Sequence, residues 1–441
     1  MSPTPNRSRL LPGFVLATVV ICLTLFTPAR AGAQVGLLPP SYPEDMGLAN
    51  SLAFSPDGKL LACGCCGPYN DIKDYDILQI WDVATGRETA RLKTYGFAAF
   101  SPDGKTLAGR GDKGRLQLWE AQSHRIRLDD EAGPYFNVLA FSPDSRLLLT
   151  GNDSPQFTLR DAGYGTVLYE EKLPVTVLSR GTVTIQCPIF IYDARFAPDG
   201  KEIALAVTTL GAVSKPSQIY LGQIIRDRTG GTRSGKIGLK WRLKIAVPAP
   251  RGVCSLSYAP DGQRLAAASN DASVRVFNAR DGRQLREFCP PWDTRCWESP
   301  MYHVAFSPDG KTLAGAGPFS SPGIRLWDAA TGKELHRLRL KGDAPDRPEI
   351  FQSAEIFQSI AFSPDGKLLA SAGAQRDVIL WDVATGQRTK VIDRTIAIRD
   401  RPPRPALPRA PAPVPAGVAP PQTLINRELG TPEPPDPSRE K

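Results

Sequence analysis

One nine-residue segment, occurring seven times, limits what this chain can fold into more than any other feature. Phe54-Ser55-Pro56-Asp57-Gly58-Lys59-Leu60-Leu61-Ala62 recurs, with substitutions, from Phe100, Phe141, Phe196, Tyr258, Phe306 and Phe362. The copies start 46, 41, 55, 62, 48 and 56 residues apart. A second segment, Ile80-Trp81-Asp82-Val83-Ala84-Thr85-Gly86-Arg87, recurs as Leu118-Trp119-Glu120, Leu159-Arg160-Asp161, Val276-Phe277-Asn278, Leu326-Trp327-Asp328 and Leu380-Trp381-Asp382. The fourth copy lacks a clear version, Tyr220-Leu221-Gly222 being the nearest match. Each unit reads as a four-stranded antiparallel sheet. Leu52 and Phe54 alternate as in a strand, and Leu60-Leu61-Ala62 is the apolar run of the next. Between them Pro56 presets φ for a type I turn and Gly58 takes the positive φ that closes the hairpin. A third strand ends at Trp81-Asp82, and Ala84-Thr85-Gly86 turns it into a fourth, Glu88 to Leu92. Such a sheet has two apolar faces and cannot bury them alone. Seven of them stacked radially in a ring can.

The pairing of Ser-Pro-Asp-Gly-Lys with Trp-Asp-x-Ala-Thr-Gly, complete at Ser307–Lys311 and Trp327–Gly332, resembles the bacterial branch of the WD40-repeat propeller family. The resemblance covers roughly residues 50 to 393. It implies an all-β fold, a seven-bladed β-propeller, and a role in binding rather than catalysis. The chain departs from the family in lacking the Gly-His pair before the innermost strand, while Asp112, Asp153, Asp271 and Asp377 still occupy the turn before the third strand. The organisation that follows is a signal peptide at 1–33, an N-terminal extension at 34–49, the propeller at 50–393 and a proline-rich tail at 394–441.

Residues 1–33 carry Arg7 and Arg9, an apolar segment from Phe14 to Phe26, and Ala29-Arg30-Ala31 or Ala31-Gly32-Ala33 as a cleavage site. Thirteen residues fall short of the ~20 that span a bilayer. Cleavage and export to the periplasm or exterior is therefore the reading, a retained N-terminal membrane anchor being the alternative. Cys22 follows Ile21, which is bulkier than lipid-attachment sites accept. The tail from Arg401 is rich in proline and nearly without aromatics, so it is expected to stay extended and disordered. Both ends are basic. Of the formal net charge of +9, residues 1–33 supply +3 and residues 394–441 another +3, leaving +3 for the propeller. A basic footprint on the folded body is thus weakly indicated; no nucleic acid and no membrane beyond the leader is expected, and the binding role that the resemblance implies is expected to be toward a protein partner. The propeller is expected to act as a monomer.

Blade by blade, the expected bounds are Ser51–Lys93, Gly96–Asp130, Phe136–Leu173, Tyr192–Val247, Val253–Phe288, Tyr302–Leu340 and Ile356–Ile392. Residues 174–191 form an extra connection with strands at Val175–Leu178 and Val183–Ile185. Ser145 replaces the hairpin glycine of blade three, at a cost on the order of 1 kcal/mol for positive φ, so that hairpin is expected to be the least secure or reshaped. Blade seven reads as complete through an outer strand at Arg388–Ile392, with Gln34–Leu38 as an alternative source of an edge. Cys63, Cys65 and Cys66 cluster in blade one, but no fourth ligand stands at a recognisable spacing, which favours a structural role over a metal site. Residues 226–244 hold seven Lys/Arg against Asp227, either a solvated edge guarding against strand pairing or a partner contact.

Catalysis finds little material. The three histidines, His124, His303 and His336, are scattered. There is no Cys-x-x-Cys-His for haem, no Gly-x-Ser-x-Gly nucleophile and no phosphate-cradling glycine loop. No cofactor and no metal is expected. Two carboxylates suffice for a glycosidase, so a carbohydrate-active propeller is the alternative to a non-catalytic scaffold. Sorting the connections by face locates the candidate site. One face carries almost uniform Ser-Pro-Asp-Gly and Ala-Thr-Gly turns. The other carries the long connections, with Tyr69, Tyr75, Trp292, Arg295, Trp297 and Phe319 as candidate partner-binding residues, since long loops on a rigid scaffold carry function and Trp, Tyr and Arg dominate hot spots. Cys289 and Cys296 flank six residues there and are candidates for a disulfide in an oxidising compartment.

Overall fold

The computed structural model describes residues 48–66, 77–94, 96–111, 115–130, 136–152, 155–174, 176–180, 183–187, 189–209, 217–226, 237–249, 252–288, 301–317, 323–339, 357–373 and 377–393. They form seven antiparallel sheets of four strands in simple sequential order, plus one two-stranded sheet. The fold is a seven-bladed β-propeller. Blade one comprises Leu48–Phe54, Leu60–Cys66, Ile77–Asp82 and Glu88–Lys93. The last blade comprises Phe357–Phe362, Leu368–Gly373, Asp377–Asp382 and Arg388–Asp393, so it owns all four of its strands and the ring closes without strand exchange. Whether residues 34–38 add an edge lies outside the described residues.

The core sits in the seams. Seven apolar clusters occur, each shared by two neighbouring blades. The closing one joins Leu52, Phe54, Leu61 and Trp81 of blade one to Ala370, Val378, Leu380 and Ile392 of blade seven. Blades therefore hold one another by the burial that none achieves alone.

Polar contacts stitch the same seams at three radii. At the inner edge, the backbone N–H two residues before the turn aromatic points away from its own sheet. A side chain of the preceding blade, three residues before its own aromatic, accepts it. Ser359 Oγ accepts from Leu52 N (3.0 Å), Ser51 Oγ from Ala98 N (3.0 Å), Asp193 Oδ2 from Leu256 N (2.8 Å) and Ser255 Oγ from Val304 N (3.4 Å). A register shift precedes each of these four acceptors, the local irregularity that re-aims a side chain. At the turns, each hairpin glycine lies beside the proline of the preceding blade, from Gly104 on Pro56 through to Gly58 on Pro364. Blade three keeps the contact differently. Ser145 adopts φ 59°, and its Oγ accepts from Asp103 N of blade two at 3.0 Å. The hairpin is regular, contrary to expectation, because this bond offsets the cost of the positive φ.

At the outer edge, a long side chain of the fourth strand donates to turn carbonyls of the next blade. Lys390 reaches Val83 O (3.0 Å) and Ala84 O, and Arg286 reaches Thr331 O (2.7 Å) and Ala330 O (2.8 Å). Arg242 reaches Ala279 O (2.7 Å), Arg127 reaches Ala162 O (3.3 Å), and His336 Nε2 contacts Ala384 O (2.9 Å).

Blade four (Ile189–Phe196, Glu202–Thr209, Ser217–Arg226, Ile237–Val247) begins three residues earlier than expected, since Ile189 and Ile191 are buried at its seam with blade three. The extra connection forms its own hairpin, Thr176–Arg180 with Val183–Cys187. The missing tryptophan of this blade is displaced rather than lost. Gly222 stands where four of the other third strands have Trp, and Trp241 pairs with it from the fourth strand. A Cβ on Gly222 would come within 3.0 Å of that indole. Trp241 makes edge contacts with Phe157 and Tyr220 and donates to Glu171 at 2.8 Å.

Candidate binding surfaces

The two faces of the ring differ in how freely they are built. On one, thirteen of the fourteen inter-strand turns are five residues long, such as 55–59 and 83–87, and the exception is 227–236. On the other, connections run from three residues (153–155) to eighteen (339–356). The first strand begins and the last strand ends on this second face. Chain entry, chain exit and every long connection except 227–236 thus share one side.

The short turns are fully engaged internally. Ser55 Oγ donates to Asp57 (2.6 Å) and accepts from Leu60 N (2.9 Å), and Ser307 and Ser363 repeat this arrangement. These serine hydroxyls hold the carboxyls of Asp57, Asp309 and Asp365 below their usual range. In the outer turns the Thr85 and Thr385 hydroxyls do the same for Asp82 and Asp382. Carboxylates so committed are poor general acids.

The candidate residues Tyr69, Tyr75, Trp292, Arg295, Trp297 and Phe319, and the cysteine pair Cys289 and Cys296, lie outside the described residues. So do Asp112 and Asp153. Asp271 accepts from Ser273 N and Oγ and pairs with Arg275 at 2.9 Å, a turn brace in place of a histidine network. Cys63 is a fully buried strand residue at the seam with blade seven. Among the described residues, no group of three or more His, Cys, Asp or Glu could hold a metal ion. The described part of the basic stretch is largely absorbed by structure. Arg226 meets Asp144 (3.5 Å), Arg242 grips Glu202 (2.7 Å), and Lys244 lies 4.6 Å over the Tyr220 ring.

Two residues not singled out from the sequence, Asp193 and Arg195, form a polar group on the channel wall with His303, which the sequence offered only as one of three scattered histidines. Immediately before the turn aromatic, the inner strands carry Ala53, Ala99, Ala140, Arg195, Ser257, Ala305 and Ala361. Arg195 is the one charged side chain in that row, and 37% of it is exposed. Its Nε donates to Leu256 O (3.2 Å) and Asp193 Oδ2 (3.3 Å), and Nη2 lies 3.2 Å from the same oxygen. Asp193 also accepts from Ala194 N and Leu256 N, both at 2.8 Å. Two blades on, His303 Nδ1 is sealed from solvent and has no hydrogen-bond partner among the described residues. Burial, with the Arg195 charge adding to it, pushes the His303 imidazole down to about 3. Aligning the seven copies on the turn aromatic exposes all three as departures from the repeat.

Three stretches of the chain, residues 45–69, 244–278 and 352–382, match the family model of the WD domain, G-beta repeat. The chain is 32% identical over 134 residues to WD repeat-containing protein VIP3 of Arabidopsis thaliana, an overlap of 30% of this chain and 39% of that protein. It is 23% identical over 347 residues to Periodic tryptophan protein 2 homolog of Dictyostelium discoideum, covering 75% of this chain and 32% of the relative. With Telomerase protein component 1 of Rattus norvegicus it shares 22% over 376 residues, 72% of this chain and 14% of the relative. The overlaps thus span about two fifths or less of these relatives' own lengths.

Proposed function

We propose that this WD-repeat propeller is an exported, non-catalytic scaffold that binds a protein partner through the face bearing the long connections. The observation that carries this reading is the contrast between faces. Five-residue turns committed to the ring's own hydrogen bonds leave little to vary, whereas connections of up to eighteen residues on a rigid frame are where recognition is built. By sequence these connections carry Trp292 and Trp297 together with Tyr69, Tyr75, Arg295 and Phe319, residue types that dominate binding energy when buried by a partner. WD-repeat relatives, which act typically through protein–protein contact, support the same role. Export rests on the charged, apolar and small-residue order of residues 1–33, and a Cys289–Cys296 disulfide fits an oxidising compartment.

The test takes a partner captured from the native envelope fraction and purified, and measures its affinity for the wild-type chain and for Trp292→Ala with Trp297→Ala. A loss of tenfold or more supports the reading. Unchanged affinity in a folded double variant moves the site to the opposite face. N-terminal sequencing of protein from its native host checks export, a start near Gly32 or Gln34 being the expected result and an intact Met1 the contrary one.

A further inference from the structure

The row of residues just inside the short turns is an internal control repeated seven times. Six of its members are alanine or serine, and Ser257 is occupied by the seam, its Oγ accepting from Phe306 N at 3.0 Å. The ring evidently closes at this radius with nothing larger than serine. Arg195 is therefore not demanded by the seam it touches. It is also not loosely placed. Asp193 and Leu256 O hold the Nε side of the guanidinium, leaving Nη1 with no bond to any described residue. Its place, one residue before Phe196 and the 197–201 turn, puts it at the short-turn end of the inner strand.

We propose that the channel mouth on the short-turn face is a binding site for a single carboxylate, with Arg195 as the recognising group and Asp193 as the residue that positions it. An arginine fork matches a carboxylate better than a lysine does, and one pre-oriented by a second carboxylate loses less freedom on binding. The charge arithmetic selects a monoanion. Asp193 offsets much of the guanidinium's charge, and His303, neutral near pH 7, adds none. A phosphate dianion would meet Asp193 with no second charged side chain in that row to compensate. In the same row Ala305, Ala361 and Ala53 of the other blades are partly exposed, and such small side chains leave room for a short aliphatic acid. This site is separate from the long-connection face and does not depend on it.

Three histidines make the test direct. The full chain, labelled at histidine 13Cε1, gives three signals, and His303→Asn assigns the one that senses Arg195. Sodium acetate is titrated at pH 7 against sodium chloride at equal ionic strength, and N-acetyl-Gly-Glu-Gly-amide in a parallel series. The expected result is a saturable shift of the His303 signal alone. Arg195→Gln should weaken it tenfold or more while the His124 and His336 signals, as markers of the intact fold, stay in place. Response to acetate alone assigns a free short acid, and response to the peptide assigns an acidic side chain of a partner. The proposal is overturned if His303 does not move with either probe, if all three signals drift together, if Arg195→Gln responds like the wild type, or if inorganic phosphate binds as tightly as acetate.

Discussion

Replacing Gly386 by alanine tests the outer seam contacts against an internal standard. Gly104 and Gly386 have nearly the same backbone, φ 71° and 69°, and both need the left-handed region. A Cβ on Gly104 would meet nothing closer than Pro56 Cδ at 3.8 Å. Gly104→Ala should therefore cost only the φ strain, about 1 kcal/mol. A Cβ on Gly386 would sit 2.7 Å from His336 Cγ and 2.9 Å from its Cβ, atoms too near the backbone to swing aside. The imidazole has to leave, and with it the 2.9 Å contact to Ala384 O. Adding about 1–3 kcal/mol for the overpacking and the lost hydrogen bond gives a total of about 2–4 kcal/mol. In a His336→Gly background, which removes the Cβ as well as the ring, the same substitution should fall back to about 1 kcal/mol, a coupling of about 1–3 kcal/mol. Urea unfolding followed by tryptophan fluorescence measures all four corners of the cycle. Equal costs at Gly104 and Gly386, or a coupling within about 0.3 kcal/mol of zero, would show that the glycine is there for its backbone alone.

Ser359→Ala leaves the Leu52 N–H of the closing seam without an acceptor and should cost about 1–3 kcal/mol; Ser51→Ala at the next seam should match it in urea midpoint, and a neutral Ser359→Ala would disprove the inner clasp. Trp241→Ala empties the blade-four substitute for the third-strand indole and should cost about 3–5 kcal/mol, against which a loss below 1 would count. For His303 the folded pKa is depressed to about 3, so between that value and the usual 6.5 the unfolded chain binds the extra proton. Stability should fall as pH drops through this window, with a slope approaching about 1.4 kcal/mol per pH unit. His303→Gln should flatten that slope between pH 6 and 4.5, and an unchanged profile in the variant would rule the histidine out.

The seven hairpins, their four-strand composition and the uniform short-turn face were all legible in the sequence, because turn chemistry is local. Pro56 and Gly58 announce their own geometry. Blade four resisted because its tryptophan moved across the sheet, from the Gly222 position to Trp241, and a linear motif cannot register an exchange between paired strands. The seam bonds resisted for a similar reason. Ser51, Ser255 and Ser359 look like ordinary strand residues until the next blade's N–H is placed beside them. Ser145 was read correctly as adopting positive φ, but the compensating bond from Asp103 N comes from a residue 42 positions away. The channel residues Asp193, Arg195 and His303 were readable only as exceptions within an alignment of the copies, and the candidate aromatics by contrast stand on connections outside the described residues.

The three repeated kinds of seam contact run the same way round the ring. A blade offers its proline, its inner acceptor and its outer base to the blade that follows, and accepts the same three from the one before. Each blade thus has a head and a tail, and the molecule is a head-to-tail polymer of one unit that closes because its repeated rotation sums to a full turn. The angle at the seam, rather than the length of the chain, sets the number of units. A fragment missing two or three blades keeps one unsatisfied head and one unsatisfied tail that are complementary by construction. Such fragments would find each other, so truncation should yield self-association in place of a smaller ring.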